Sequence, residues 1–327
     1  MRIAVTGSIA TDHLMVFPGR FTDHLIPDRL AHISLSFLVD SLEVRRGGVA
    51  ANIAFGLGSL GLTPQLVGAV GHDFAEYEIW LKEHGVDTAA VHVSSVRQTA
   101  RFVCLTDEDG NQIAAFYAGA MAEAADTGLR DLTGHRTVPD LVLVCPNDPQ
   151  AMLRYTQECR ELGIPFAADP SQQLARLTGP EVRELVGGAR WLFTNEYESA
   201  LVLERTGWRR ADVLDEVGAW VTTLGETGVR IERRGQDPLT VPAVPGVRAV
   251  DPTGVGDAFR AGFLTALSRD LPLETAARTG CVVAAAALET VGPQAYDVDF
   301  ERLTAVFTAS YGDEAALHLK AWWGGRR

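Results

Sequence analysis

Short apolar runs separated by helix-like stretches set the rhythm of this chain. Ile3–Thr6, Leu66–Val70, Leu141–Val144, Phe166–Ala168, Trp191–Thr194 and Val221–Leu224 are apolar or β-branched throughout, the pattern of strands buried on both faces. Ala50–Leu60, Pro149–Leu162, Pro180–Val186 and Ala211–Glu216 carry helical spacing between them. Such alternation predicts a doubly wound, mostly parallel α/β sheet flanked by helices. After Asp257 the pattern is helical, with breaks near Leu271 and Gly292.

Two regions break the alternation. Residues about 13 to 46 contain Ile33–Val39 and Leu42–Arg45, which read as strands with no helix between them. Residues about 90 to 118 give Val91–Val93, Ala100–Thr106 and Gln112–Tyr117, with an Asp109-Gly110 hairpin signal between the last two. These insertions predict one small β-sheet, a lid over a single domain spanning 1–327.

Composition narrows the class. Hydrophobic residues make up 46% and charged residues 22% of 327, enough apolar content for a large core without disulfides or structural metals. The net charge of −13, with no basic run, argues against a nucleic-acid partner. The four cysteines are scattered, as expected of a reducing compartment. The eight histidines show no zinc-ligand spacing. No long apolar leader opens the chain, and Cys281–Leu288 is too short to span a bilayer, so a cytoplasmic protein with no membrane partner is expected.

The chemistry concentrates in Asp251-Pro-Thr-Gly-Val-Gly-Asp257-Ala-Phe-Arg-Ala-Gly-Phe263. An extended, Pro-broken segment precedes it and a helix follows. Thr253–Gly256 therefore sits where a loop enters a helix, and unpaired N–H groups and the helix dipole there favour an anion. Asp257 falls on the first helical turn beside that anion. It is either a base that takes a proton from an attacking hydroxyl or an ordinary first-turn acid. No P-loop occurs, and Gly56–Gly61, although it spells G-x-G-x-x-G, follows a helical stretch rather than the strand a dinucleotide site needs.

This motif resembles the C-terminal signature of the ribokinase (PfkB) family, written D-T-x-G-A-G-D. Gly47-Gly48-Val49-Ala50-Ala51-Asn52-Ile53-Ala54 resembles the family's N-terminal G-G-x-x-x-N-x-A. Further stretches, among them V-T-G-S-I-A-T-D-H-L-M and A-A-D-P-S-Q-Q-L-A-R-L, look like the actinobacterial adenosine kinases within the family. The resemblance implies an ATP-dependent kinase. Asp257 would be the catalytic base, with an anion hole on the amides of Gly254, Val255, Gly256 and Asp257. The family usually has Ala where Val255 stands, a change that leaves the backbone donors intact.

On the donor side the resemblance implies that Asn195, Thr223, Gly225, Gly228 and Gly256 meet ATP. Glu198, of the N-x-x-E motif, would organise Mg²⁺ through water. The helix after Gly280 and the turn Gly292-Pro293-Gln294 would border adenine. On the acceptor side it implies Ser8, Asp12, Gly48 and Asn52 around the ribose. Ser36, Phe102, Phe116, Gln172 and Gln173 would hold the base, the two aromatics sandwiching it. Potassium activation and a homodimer through the lid are also family traits. The reaction implied is transfer of the ATP γ-phosphoryl group to the 5′-hydroxyl of adenosine. A PfkB sugar kinase, or a catalytically silent ligand-binding member, stands as the alternative.

Overall fold

The computed structural model describes residues 1–25, 32, 34–130 and 138–324. Two sheets organise it. The larger holds β1 (Ile3–Thr6), β4 (Gln65–Val70), β5 (Asp87–Val93), β8 (Leu141–Val144), β9 (Phe166–Ala168), β10 (Trp191–Asn195), β11 (Trp220–Thr223), β12 (Val229–Glu232) and β13 (Leu239–Val241). Its order is β13-β12-β11-β10-β9-β8-β1-β4-β5, with every pairing parallel except β11–β12 and β12–β13 at one edge. The smaller holds β2 (Ala10–Val16), β3 (Ser41–Gly47), β6 (Ala100–Thr106) and β7 (Gln112–Tyr117), in the order β3-β2-β6-β7.

Helices cover the large sheet. They are α1 (Val49–Ser59), α2 (Ala75–Glu83), α3 (Pro149–Leu162), α4 (Gly179–Val186), α5 (Glu196–Thr206), α6 (Arg210–Glu216), α7 (Val255–Leu267), α8 (Leu273–Leu288), α9 (Phe300–Tyr311) and α10 (Asp313–Gly324). Local chemistry sets their ends. In α3, Asp148 accepts hydrogen bonds from the backbone of Gln150 and Ala151, Pro149 opens the first turn, and left-handed Gly163 closes the helix. Each face of the sheet buries its own apolar cluster: one includes Val5, Ile53 and Phe263, the other Val142, Tyr155 and Trp220.

The strand order reverses between β1, which leads to β4, and β8, which leads to β9 and β10. Ligands of open α/β sheets bind at such a reversal, outside the carboxyl ends of the strands. The small sheet stands over this point because β2 begins only four residues after β1 ends, at Ala10.

Three expectations need correction. Val91–Val93 belongs to β5 of the large sheet rather than to the small one, because it extends a parallel ladder on β4. Residues 34–40 form no strand, and Ile33 lies outside the described residues; the strand is Ser41–Gly47 alone. The small sheet also begins earlier than 13, since β2 starts at Ala10 and pairs with both β3 and β6. The Gly56–Gly61 run lies at the end of α1, where Gly56 lets Tyr296 approach and Gly58 lets the His84 carbonyl approach, so its glycines serve packing.

Candidate active site

Two cavities flank the turn before α7. The first, of about 520 Å³, lies between the sheets; Ser8, Asp12 and Asn52 line it on one side, and Thr253, Gly254 and Asp257 on another. The second, of about 540 Å³, is lined by Thr223, Gly225, Gly228, Pro252, Val255 and Gly256. The segment 252–257 is thus a shared wall. No side chain caps α7; the Val255 N–H donates to the Pro252 carbonyl at 3.4 Å, and the N–H groups of the turn that follow it are the ones a ligand can meet. Gly254 makes the turn possible: its φ is +76°, and a Cβ there would lie 2.4 Å from Cβ of Pro293.

Asp257 faces the first cavity from the first turn of α7. Its Oδ2 accepts a hydrogen bond from Asn52 Nδ2 at 2.9 Å. Burial pushes its carboxyl up to about 6, while Arg260 and the Asn52 hydrogen bond pull it back. Arg260, one turn further along α7, pairs with the fully buried Asp169, with Nη2 donating to Oδ1 at 2.7 Å and Nε 2.6 Å from Oδ2. Burial alone would lower the Arg260 pKa, but Asp169, Asp257 and Glu198 raise it on balance, so the guanidinium stays charged.

Asp12 projects from β2 into the same cavity. Burial pushes it up to about 6, opposed by Arg45 on the neighbouring strand. Gly47 makes room for it, since a Cβ there would meet the Asp12 carboxylate at 2.8 Å. Gly48, at φ +93°, brings the backbone against Ser8 and Ile9, and Ser8 Oγ accepts from the Val49 N–H that begins α1. Arg45 also reaches Asp251 Oδ2 at 3.0 Å, which ties the small sheet to the turn.

Of the residues expected around a base, Phe102, Phe116, Gln172 and Gln173 line the first cavity. Phe102 and Phe116 are cross-strand partners on one sheet face. Such neighbours have Cβ atoms ~5 Å apart, too close to admit a ring between them, so they form one platform rather than a sandwich. Gln173 is buried; its Nε2 donates to the Asn147 carbonyl, and its Oε1 has no partner. Ser36 lies in an exposed coil and lines neither cavity.

On the donor side, Thr223, Gly225, Gly228 and Gly256 meet in the second cavity. Asn195 sits at its margin, paired in register with Thr223, and caps α5. Glu198 completes that capping box by accepting from the Asn195 N–H at 2.8 Å, so these two side chains also fix the start of α5. Among the described residues no group of three or more His, Cys, Asp or Glu side chains forms a metal cluster. Ala284, Ala285 and Leu288 of α8 line the second cavity, whereas the turn Gly292-Pro293-Gln294 does not. It packs on the other side: the Gly292 N–H bonds Asp251, and the Gln294 side chain bonds Asn52 and Tyr77.

The sequence reading missed Arg176, which lines the first cavity, and the Asp169–Arg260 pair. Arg260 lies three residues after Asp257, one helical turn away on the same face, and that spacing was the available signal.

The profile of the "pfkB family carbohydrate kinase" family matches residues 10–299. A nucleoside kinase of Methanothermobacter thermautotrophicus is 32% identical over 299 residues, covering 89% of this chain and 93% of that protein. The nucleoside kinase of Methanocaldococcus jannaschii is 28% identical over 261 residues, covering 79% and 84%. Among solved structures, the Burkholderia thailandensis nucleoside kinase in complex with inosine matches with a TM-score of 0.82 at 34% identity, over 95% of this chain and 98% of that one. The chain belongs to the pfkB family of carbohydrate kinases and has the ribokinase-like fold. It is an ATP-dependent kinase with an alcohol acceptor.

Proposed function

We propose that this kinase phosphorylates the 5′-hydroxyl of a nucleoside, adenosine foremost, yielding the nucleoside monophosphate and ADP. The carrying observation is the shared wall: Asp257 opens on one cavity, and Val255 and Gly256 on the other. A hydroxyl in the first cavity and a triphosphate in the second would meet across an uncapped helix end, whose N–H groups oppose charge developing on the transferred phosphoryl group. Asp257 takes the hydroxyl proton as the oxygen attacks in line. The carboxylate of Asp12 accepts two adjacent ribose hydroxyls. The Phe102–Phe116 platform stacks one face of the base, and Gln173 Oε1 accepts an N–H from its edge. Closure of the small sheet over the cleft would exclude water.

Asp169, Asp257 and Glu198 together outnumber Arg260 around the turn. A triphosphate arriving there fits this donor set best with Mg²⁺, whose charge offsets the carboxylates and which Glu198 would orient through water. Potassium on carbonyl oxygens around Asp251, and a cytoplasmic setting where ATP is plentiful, complete the reading.

The acceptor cavity of about 520 Å³ carries an aromatic platform that a free pentose would not use, which favours a nucleoside over a sugar. Nucleoside kinases among the relatives, one in complex with inosine, support the same choice. Steady-state rates with adenosine, inosine, ribose and fructose test it: adenosine should turn over fastest, and faster turnover of a free sugar would overturn the substrate assignment. Asp257→Asn should lower kcat by orders of magnitude while adenosine binding stays measurable by calorimetry. Normal turnover by that variant would remove Asp257 from the role of base.

A further inference from the structure

A chain of hydrogen bonds that no sequence motif announces runs behind Asp257. The indole N–H of Trp80 donates to Gln294 Oε1 at 3.1 Å. Gln294 Nε2 donates to Asn52 Oδ1 at 2.9 Å and to the Tyr77 hydroxyl oxygen. Tyr77 in turn donates to the Gly47 carbonyl at 2.9 Å, and Asn52 Nδ2 donates to Asp257. Asn52, Tyr77 and Gln294 are all buried. The four groups behind the base come from α1, α2 and the turn between α8 and α9, which only the folded chain brings together.

The direction of this chain is forced at both anchors. An indole N–H can only donate, and a backbone carbonyl can only accept. Gln294 must therefore present its oxygen to Trp80 and its amide nitrogen to Tyr77 and Asn52. Asn52 must then present its oxygen to Gln294, which leaves its N–H₂ facing Asp257. An amide turned the other way would set a carbonyl against the carboxylate and favour the protonated, inactive acid.

We propose that Gln294 is a positioning residue for the base: anchored on Trp80 and Tyr77, it holds the Asn52 amide with its donor toward Asp257. This rests on the proposed role of Asp257 and extends it to three residues that do not touch the reacting atoms. Burial raises the Tyr77 pKa far above its ordinary range, so its hydroxyl keeps the proton the chain requires. Arg260 on α7 itself, Glu198 on α5, Asp169 after β9, and Tyr77, Tyr296 and Cys145 are the other titratable groups that share the field of Asp257. Gln294 is the one link whose replacement frees Asn52 without altering any of those charges.

The test compares pH profiles of kcat and kcat/KM for adenosine and MgATP in full-length wild type, Gln294→Met, Trp80→Phe and Asp257→Asn. Gln294→Met should move the acid limb up by about one pH unit, with kcat returning to within a few-fold of wild type at alkaline pH. Trp80→Phe removes the N–H with part of the indole but keeps an aromatic ring against Phe55 and under Arg46, so it should move the limb the same way by less. It decides the matter if Gln294→Met fails to fold. A purely structural role would lower kcat equally at every pH. An unmoved limb in the folded variants, with Asp257→Asn inactive, overturns the relay alone. Normal turnover by Asp257→Asn overturns the base and the relay together.

Discussion

Two carboxylates share the acceptor cavity, and burial pushes both Asp12 and Asp257 up to about 6. In the proposed reaction each must be ionised, Asp257 to take a proton and Asp12 to accept two hydroxyls. Activity should therefore be present above that pH and fall as pH drops through it. The acid limb of kcat/KM for adenosine should lie near pH 6 and be steeper than a single ionisation, because either protonation removes productive enzyme. Asp12→Asn should leave a limb of single slope. A profile flat down to pH 5 in wild type would contradict both assignments. The identity of these two residues was legible in the sequence through the motifs around them. Their environment was not, since Arg45, on a neighbouring strand, and Asn52, on another helix, reach them only through the fold.

The turn before α7 is the element on which the proposed chemistry rests. Gly254 combines a left-handed backbone with a Cβ position already occupied by Pro293, so Gly254→Ala carries a conformational cost of ~1–2 kcal/mol and displaces the turn. Its kcat should fall at least about tenfold, with a smaller change in the KM for adenosine. Gly110→Ala is the comparison: φ is +81° there, yet a Cβ would meet nothing within 4 Å, so it shares the strain without moving the site. Equal kcat values for the two variants would contradict a role for the turn. Most strands of the large sheet were readable because four-residue runs such as Leu141–Val144 are apolar on both faces. β2 was not, because Ala10–Val16 mixes polar and apolar residues, as a strand facing a cleft must. Ile33–Val39 misled in the opposite sense: its described residues, 34–39, are apolar enough to read as a strand yet form none.

At the scale of the whole molecule, the small sheet is tied to the body through Arg45–Asp251, Arg101–Asp73 at 2.6 Å and Tyr77–Gly47. Its cleft face carries Asp12, Phe102 and Phe116. Its outer face carries Leu42, Val44, Ile113 and Tyr117, all exposed. That outer face is where a second copy would sit in the homodimer that the family resemblance implies. Paired Leu42→Lys and Val44→Lys should then convert a dimer to a monomer by light scattering, with the donor site unaltered. A wild type already monomeric at assay concentration would remove the dimer from the reading.

The sequence by itself determined most strands and helices of the large sheet, the glycine-rich helix start and the acid beside it, because these depend on local periodicity and backbone freedom. Only the tertiary structure decided which side of that turn each residue serves. It set Gln294 against Asn52 rather than in the second cavity, set Phe102 and Phe116 side by side, left Ser36 outside both cavities and buried Arg260 on Asp169. The physical reason is the same in each case. Hydrogen-bond direction, burial and cross-strand register depend on contacts between residues far apart in the chain, and no local pattern of polar and apolar positions encodes them.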